Sequence, residues 1–307
     1  MTIYGKGCIS NYRNCSLSYV WYSVLYRMLT QNQYILFYKL INMPIKTDTK
    51  NGLISNDVVI MNFSGVYDME GFPHNKQYHW MDCRHLSGTD CYCDDEGKNA
   101  LIKMIKRCPI TGVHFIDSGN YHYVTKLWTD RIEEPFVLVV FDHHPDMQPS
   151  LFEHILSCGS WVKDILDSNV NCKKVIIVGA SEQLVQSVSP EYKNRVHFYS
   201  DNDLNKEKNW KRFAEELISD PVYISIDKDV LSPEYAITNW DQGSMSLEEL
   251  EKLLYIILQN HPVLGIDICG EFIPKSDIAE DNKDARIDGK INKIILQLIE
   301  AKTDSGE

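Results

Sequence analysis

Short runs of β-branched and aromatic residues alternate with helix-like stretches along the chain beyond residue 55. Seven runs are predicted to be strands: Val58–Phe63, Val113–Asp117, Phe136–Asp142, Lys174–Gly179, Arg195–Ser200, Val222–Asp227 and Val263–Ile268. They lack strict apolar–polar alternation, which indicates strands that are covered on both faces. The stretches predicted to be helices are Asp95–Arg107, Tyr121–Leu127, Ser160–Ser168, Glu182–Val188, Lys206–Ile218, Leu247–Leu258 and Ile287–Ala301. Strands that alternate with helices predict a three-layer α/β/α fold with a mostly parallel central sheet.

The predicted helix at Leu247–Leu258 carries a start signal of its own. The residues before it read Ser246-Leu-Glu-Glu249, which is the pattern of a capping box. Its leucines recur on one side, as in a helix that buries one face against a sheet.

The first 42 residues differ in composition from the rest of the chain. The segment from Leu17 to Asn42 is rich in Tyr, Leu and Ile, but Arg27 and Lys39 interrupt it. It therefore lacks the run of about 20 apolar residues that a membrane span needs, and it has no signal-peptide pattern. We interpret residues 1–42 as an N-terminal aromatic-rich extension whose role stays open. Residues 43–307 contain no linker long enough to separate two domains, so they are predicted to form a single α/β domain.

The charge of the chain argues against a nucleic-acid partner. Its 31 basic and 43 acidic side chains give a formal net charge of −12. An acidic surface repels a phosphate backbone, and no basic block provides a local exception. Neither nucleic acid nor a membrane is expected as a partner.

The nine cysteines do not form a disulfide framework, because the count is odd and the spacings are irregular. We therefore expect reduced thiols in a cytoplasmic protein. Cys83, Cys91 and Cys93 lie near His79 and His85 in the sequence, which leaves a structural metal site open as an alternative. No spacing there matches a paired C-x-x-C element, so free thiols are favoured.

Chemistry-bearing side chains follow three of the predicted strands at their carboxyl ends, where ligands bind in such sheets. They are Asp117 with His122, Asp142 with His143, His144 and Asp146, and Asp227 with Asp229. Each alone could be a helix cap or a hydrogen-bonded core residue. Carboxylates gathered at one edge repel one another unless protons or cations neutralise them. Oxygen ligands with one or two imidazoles suit Mn²⁺ or a similar divalent ion.

These elements resemble motifs of the arginase–agmatinase–formiminoglutamase (ureohydrolase) superfamily. The sequence D-H-H-P-D at Asp142–Asp146 is similar to the family's D-A-H-x-D, and S-I-D-K-D-V-L-S-P at Ser225–Pro233 is similar to S-x-D-x-D-x-x-D-P. Gly119-Asn-Tyr-His122 resembles G-G-D-H in its first glycine and its histidine. The resemblance covers roughly Val113 to Pro274. It implies a divergent member of the superfamily, with an arginase-like domain over 43–307 and a metal site at the carboxyl ends of the strands.

The resemblance also implies two Mn²⁺ ions per chain. One ion would be held by His122, Asp142, Asp146 and Asp227, and the other by Asp142, His144, Asp227 and Asp229. Asp142 and Asp227 would bridge the two ions.

The reaction implied by the resemblance is hydrolysis of a guanidino or amidino C–N bond, with release of urea or a related product. The two ions would activate a water for attack on the trigonal carbon. Asp146 matches the position that passes a proton to the leaving nitrogen. Glu271, in D-I-C-G-E-F-I-P, is similar to the carboxylate that orients the guanidinium, after a one-residue shift relative to Asp267.

Two departures from the family pattern bear on the activity. Cys158 stands in Ser157-Cys158-Gly159 where the family has a proton-shuttling His in S-H-G, and a thiol cannot mimic an imidazolium near pH 7. Cys158 is thus a candidate catalytic residue of altered chemistry. The loop Met147–Leu156 lacks the Asn and Ser pattern with which arginases recognise the α-amino acid group. Free arginine is therefore disfavoured, whereas agmatine, a formimino compound, another small-molecule guanidine or a peptide guanidine remain candidate substrates.

Three alternatives remain open at this point. Cys158 and the unusual G-N-Y-H favour a degenerate module that binds metal without hydrolysis. Phosphoesterases named for a D-H-H triplet also use Mn²⁺, but they need an upstream D-x-D element that this chain lacks. Deacylases of arginase-like fold bind one zinc ion and place a tandem His before the ligand motif, whereas His143-His144 lies within it. The sequence also leaves open whether the chain forms a homo-oligomer.

Overall fold

The computed structural model describes residues 55–74, 77–150, 152, 155–200, 213, 220–275 and 277–303. These residues belong to one compact unit, Asp48–Glu307. The extension 1–42 and most of the predicted helix Lys206–Ile218 lie outside the described residues. The domain boundary at residue 43 therefore stays a prediction.

An eight-stranded sheet forms the centre of the described part of the chain, and every neighbouring pair of its strands is parallel. The ten strands are β1 (Val58–Asn62), β2 (Tyr78–Asp82), β3 (Tyr92–Cys93), β4 (Val113–Phe115), β5 (Phe136–Phe141), β6 (Leu156–Ser157), β7 (Cys172–Val178), β8 (Val196–Tyr199), β9 (Val222–Asp227) and β10 (Val263–Cys269). The order across the sheet is β2-β1-β4-β10-β9-β5-β7-β8, while β3 and β6 form a separate antiparallel pair. The predicted fold class is confirmed.

Seven α-helices connect or flank the described strands: α1 (Val66–Glu70), α2 (Asp95–Ile105), α3 (Val124–Thr129), α4 (Trp161–Ser168), α5 (Glu182–Val185), α6 (Leu247–Asn260) and α7 (Ile278–Thr303). Short 3₁₀ turns span Gly119–Tyr121, Pro190–Tyr192 and Lys228–Val230. Within the described ranges, none of the helices has the length and apolar character that crossing a membrane would require.

The central strands are buried on both faces, which explains their continuous apolar runs. All six residues of β5 are buried. Val137, Val139 and Phe141 join a core that contains the apolar faces of α6 and α7. Leu138 and Val140 join a second core with α2, α3 and α4 on the other side of the sheet. The sheet is thus the middle layer of the predicted three.

The strands that sequence patterning missed lie at the periphery. β2 is an edge strand in which His79 and Asp82 are exposed, Tyr78 and Trp80 are partly buried and only Met81 is buried. A strand of this kind has no continuous apolar run to reveal it. The predicted strand Val113–Asp117 ends at Phe115, because the backbone turns at Asp117, which has a φ of 69°.

The order of the strands brings distant segments of the chain together. β4 and β5 follow each other in sequence, yet β10 and β9 lie between them in the sheet. The carboxyl ends of these four strands therefore meet at the centre of one sheet edge. Residues near 120–146 and residues near 227–229 become neighbours there, although about 80 residues of sequence separate Asp146 from Asp227.

The capping box of α6 provides a test of the local analysis. Ser246 accepts a hydrogen bond from the Glu249 backbone N–H, and the Glu249 carboxylate accepts one from the Ser246 backbone N–H. We expect Ser246→Ala to lower the free energy of unfolding by about 1 kcal/mol in urea titrations. Ser189→Ala is the matched control, since Ser189 begins a 3₁₀ turn without a side-chain capping bond. Equal losses in both variants would contradict the assigned cap.

Candidate metal centre

Six side chains that the sequence analysis selected converge at the centre of the carboxyl edge of the sheet. Asp142 follows β5, with His144 and Asp146 just beyond it, and Asp227 ends β9. The remaining two come from 3₁₀ turns: Asp229 lies in the turn after β9, and His122 closes the turn after β4. Five of the six are buried, and His144 is partly exposed.

The inner part of the cluster is built around His122. Its Nδ1 lies 3.2 Å from Asp142 Oδ2, 3.2 Å from Asp146 Oδ2 and 3.5 Å from Asp227 Oδ2. The other ring nitrogen, Nε2, lies 2.8 Å from the hydroxyl of Ser225. That contact fixes the plane of the ring and directs Nδ1 toward the three carboxylates.

The outer part of the cluster is built around His144. Its Nδ1 lies 2.9 Å from Asp229 Oδ2 and 3.4 Å from Asp142 Oδ1. Asp142 thus faces both histidines, one with each oxygen. Backbone N–H groups hold the carboxylates in place, because Asp142 Oδ1 accepts a bond from His144 N at 2.5 Å and Asp229 Oδ1 accepts one from His143 N at 3.0 Å.

The donor atoms fit divalent cations. His122 Nδ1 is buried and has no hydrogen-bond partner among the described residues. In two triads, His122 with Asp142 and Asp146, and Asp142 with His144 and Asp229, the ligand atoms lie within 4.8 Å of one another. Oxygen and imidazole donors at such separations match the coordination shell of a divalent ion. Asp142 belongs to both triads, whereas Asp227 lies in a further group with His122 and Cys269, so the bridging roles of both aspartates stay predictions.

The electrostatics of the cluster also call for positive charge. Burial disfavours a charged His144, yet hydrogen bonds to Asp142 and Asp229 raise its pKa to about 11. Burial and the charge of Asp142 raise the pKa of Asp146 to about 6. Burial likewise raises the pKa of Asp227 and of Asp229, with the charge of Asp142 adding to it. The cluster therefore holds extra protons when no cation is bound, and cations could take their place.

Two glycines allow the backbone to approach Asp227 closely. A Cβ atom on Gly119 would lie 2.9 Å from Asp227 Oδ2, and one on Gly270 would lie 2.3 Å from Asp227 Oδ1. Gly270 also has a φ of 87°, which side chains rarely tolerate. Gly119 is the glycine of the weak G-N-Y-H motif, so its close approach accounts for that part of the pattern.

Asp146 is oriented by a residue that the sequence analysis did not select. The indole Nε1 of Trp161, at the start of α4, donates to Asp146 Oδ2 at 2.5 Å. Asp146 itself has a φ of 48°, a left-handed conformation uncommon for aspartate. The apolar context of Trp161 gives no sequence signal for this role.

Asp117 lies at the same edge of the sheet, but its side chain accepts hydrogen bonds from backbone N–H groups. Its carboxylate accepts bonds of 2.8 Å from the N–H groups of Phe63, Ser64 and Ser118. It belongs to none of the candidate metal groups in the described residues. Its role is to tie the loop after β1 to the end of β4.

Glu271 does not line the site. Its carboxylate pairs with the ammonium group of Lys228 and accepts a 2.8 Å bond from Asn292 Nδ2, and its side chain has no exposed surface. Asp288 lies 4.0 Å from the same ammonium group. The predicted contact between Glu271 and a substrate disagrees with this placement, because the chain turns at Gly270 and directs Glu271 into the core.

Cys158 lines the open side of the site together with a second thiol. It follows β6, and Cys91 precedes β3 on the opposing strand, so that the Cys158 N–H donates to the Cys91 carbonyl at 2.9 Å. The hydrogen bond to Cys91 and burial raise the pKa of Cys158, so its thiol stays protonated near neutral pH. Cys83 and Cys93 are buried, and neither belongs to a candidate metal group in the described ranges. The alternative of a structural metal site at these cysteines therefore has no support.

A cavity of about 290 Å³ opens onto the cluster. Its floor contains Asp142, His144, Asp146, Asp227 and Asp229, and its walls contain Cys91, Tyr92, Gln148, Cys158, Leu184 and Trp240. Among the described lining residues, charged groups occur only on the floor. A larger depression of about 750 Å³, bordered by Lys126 and Asp164, contains none of the predicted site residues.

The buried ion pair beside the cluster can be tested directly. Lys228 stands between Asp227 and Asp229 in the sequence and has no exposed surface. Its ammonium group neutralises the carboxylate of Glu271. We expect Lys228→Met to lower the free energy of unfolding by about 3–5 kcal/mol, because it leaves buried carboxylates without their cation. Glu271→Gln in the same chain should restore part of the loss.

The control is Lys163→Met, which removes a partly exposed pair with Asp167 and should cost less than about 1 kcal/mol. Urea unfolding measures all three variants. A loss in Lys228→Met no greater than in the control would contradict a stabilising role for the buried pair.

Comparison with known proteins agrees with this geometry. Over 161 residues, 52% of this chain, the sequence is 41% identical to an uncharacterized protein of Thermotoga maritima, and the match spans 58% of that relative. The chain thus covers little more than half the length of the curated relative it matches.

Two solved structures share the fold at low sequence identity. The formimidoylglutamase from Bacillus subtilis superposes with a TM-score of 0.59 at 15% identity, covering 92% of this chain and 99% of that one. A triple mutant of the T. brucei arginase-like protein bound with Mn²⁺ superposes with a TM-score of 0.52 at 18% identity, covering 86% and 97%. The family described as the Arginase family matches residues 99–289, which include the whole cluster. The chain belongs to the arginase family.

Proposed function

We propose that this protein is a metal-dependent hydrolase that cleaves a guanidino or amidino C–N bond with two divalent cations. The observation that carries the proposal is the buried, unpartnered His122 Nδ1 among three carboxylates in an arginase-family chain. Mn²⁺ is the ion that the carboxylate-rich ligand set favours. The T. brucei protein of the same fold was solved with Mn²⁺ bound as a triple mutant that carries two introduced aspartates and one introduced histidine, which supports Mn²⁺ for a site of this composition.

We assign the six predicted ligands to two cations. His122, Asp142, Asp146 and Asp227 would hold the inner ion, and Asp142, His144, Asp227 and Asp229 the outer ion. Two such ions supply an activated water and neutralise the negative charge that develops on attack.

Asp146 is the residue that we assign to proton transfer. It lies on the floor of the cavity, and the bond from Trp161 Nε1 fixes its carboxylate beside His122. A carboxylate held at this point can take a proton from the attacking water and pass it to the leaving nitrogen. Trp161 acts as a positioning residue in this scheme.

The cavity walls indicate the class of substrate. Trp240 is 42% exposed at the rim, and its ring centroid lies 6.0 Å from that of His144. Aromatic faces attract planar cations such as guanidinium, so Trp240 offers a surface for the substrate that Glu271 does not. The described walls present no charged group for an α-ammonium or α-carboxylate. This favours agmatine, a formimino compound or another small guanidine over free arginine.

A metal-binding protein without hydrolase activity is the second candidate. Two observations favour it: Glu271 is buried in an ion pair, and Cys158 stands where the family has a proton-shuttling His. Membership of the arginase family favours either of these candidates over a phosphoesterase. Release of urea or ammonia from a panel of guanidines and amidines separates the hydrolase from the inactive module.

Metal binding is tested by substitution of a bridging ligand. Wild-type protein supplied with Mn²⁺ alone should carry about two ions per chain, as measured by elemental analysis after gel filtration. Asp227→Asn should lose most of this metal, because it removes a charge shared by both positions. Asp117→Asn is the matched control at the same edge, and we expect it to keep its metal. A wild-type protein that binds no divalent ion would refute the proposal.

Cys158 distinguishes an active enzyme from a degenerate one. We expect Cys158→Ser to lower kcat/KM less than about tenfold, or about 1.4 kcal/mol in barrier, because the thiol is protonated and lies on the cavity wall. Asp146→Asn should nearly abolish turnover, since it removes both a ligand and a proton relay. Cys158→His should keep or raise activity if the cavity retains the family geometry. If Cys158→Ser were as inactive as Asp146→Asn, the thiol itself would be catalytic.

A further inference from the structure

A third thiol, Cys269, lies inside the metal cluster. It is the last residue of β10 and is paired in register with Asp227 on β9. Its Sγ lies 3.2 Å from Asp227 Oδ2, and only 1% of the residue is exposed. Unlike Cys158, it lies beneath the floor of the cavity and does not line it.

The sulfur has the position of a metal ligand. Cys269 Sγ, His122 Nδ1 and an Asp227 oxygen all lie within 4.8 Å of one another. A cation bound at about 2.0–2.3 Å from nitrogen, oxygen and sulfur ligands keeps those atoms roughly 3–4.5 Å apart. The unpartnered Nδ1 of His122 and the thiol therefore face the same point.

We propose that Cys269 is a ligand of the inner cation, so that the two halves of the cluster differ in their preference among divalent ions. The inner position, with His122, Asp227 and a thiolate, takes a thiophilic divalent cation such as Zn²⁺ or Co²⁺. The outer position, with Asp142, His144 and Asp229, has no thiol within its triad and therefore prefers Zn²⁺ over Mn²⁺ less strongly than the inner position does. This inference rests on the proposed metal-dependent function and names the ions of that site.

Binding of the cation would deprotonate the thiol of Cys269. The Cys269 S–H bond breaks, the sulfur electron pair forms the bond to the cation, and the proton leaves to solvent past the cavity floor. Sulfur is a softer donor than carboxylate, so the thiolate shifts the preference of the inner position away from Mn²⁺.

The test uses the full chain with Co²⁺ as a spectroscopic probe. Wild-type protein loaded with Co²⁺ should show a near-ultraviolet sulfur-to-cobalt charge-transfer band. Cys269→Ser and Cys269→Val should lose the band, whereas Cys172→Ser should keep it, because Cys172 lies at the amino end of β7. The two Cys269 variants replace the sulfur by a hard donor and by an apolar group of similar volume, so a folding defect in one leaves the other informative.

Competition between ions gives a second readout. Most nitrogen and oxygen sites prefer Zn²⁺ over Mn²⁺, so the quantity measured is the change in that preference between variants. With equimolar Zn²⁺ and Mn²⁺, the bound Zn²⁺-to-Mn²⁺ ratio should fall at least tenfold in Cys269→Ser relative to wild type and Cys172→Ser. Zn²⁺ binding in weak buffer should also release about one proton fewer from the variant.

The outcomes separate the two proposals. If the wild type binds two ions but shows no charge-transfer band, Cys269 is not a ligand. The same holds if both the band and the Zn²⁺ preference survive in Cys269→Ser. Either result would leave the proposed metal-dependent function standing. A wild-type chain that binds no divalent ion would overturn both.

Discussion

Mutual repulsion among four buried aspartates is the constraint around which the edge of this sheet is organised. Ligand oxygens of Asp142 lie within 4.8 Å of those of Asp146 and of Asp229, and like charges at that separation repel by about 3–4 kcal/mol at an effective dielectric of about 20. His122 and His144 offset part of that cost, and backbone N–H groups at His143, His144 and Asp229 offset more. His122 Nδ1 itself faces three carboxylates at 3.2–3.5 Å but makes no well-formed hydrogen bond with any of them.

The 3₁₀ turn after β9 separates two charged clusters on opposite sides of one backbone segment. Asp227 and Asp229 face the cavity, while Lys228 between them is buried against Glu271 and Asp288. Asn292 on α7 bonds both Glu271 and Glu70 on α1, so the pair ties two helices to the turn that carries two ligands. Stability of the core and geometry of the metal ligands thus depend on the same three residues of sequence.

The sequence predicts the central strands and the clustering of six His and Asp side chains, because both depend on local patterns. Strands covered on both faces have continuous apolar runs, and D-H-H-P-D and S-I-D-K-D follow two such runs directly. The edge strand β2 carries no such run. The burial of Glu271 depends on a one-residue change in spacing. Glu271 lies one residue further from Asp267 than the family's carboxylate, so Gly270 forms the turn and the next side chain points into the core. Trp161 and Cys269 are apolar in context, so only the spatial neighbours Asp146 and Asp227 reveal their roles.

The departures from the family pattern affect particular sides of the site. The aspartates at the ends of β5 and β9 match the family motifs, whereas Glu271 is buried in the core and thiols stand at positions 91 and 158 of the wall. Loss of a fixed negative charge beside the substrate weakens recognition by charge pairing and leaves aromatic surface, chiefly Trp240, to provide it. A thiol 3.2 Å from Asp227 Oδ2 adds a soft sulfur donor to the hard oxygens on the inner side of the cluster. The carboxylate cluster at this edge of the sheet is therefore intact, while Glu271 and Cys158 beside it depart from the family pattern.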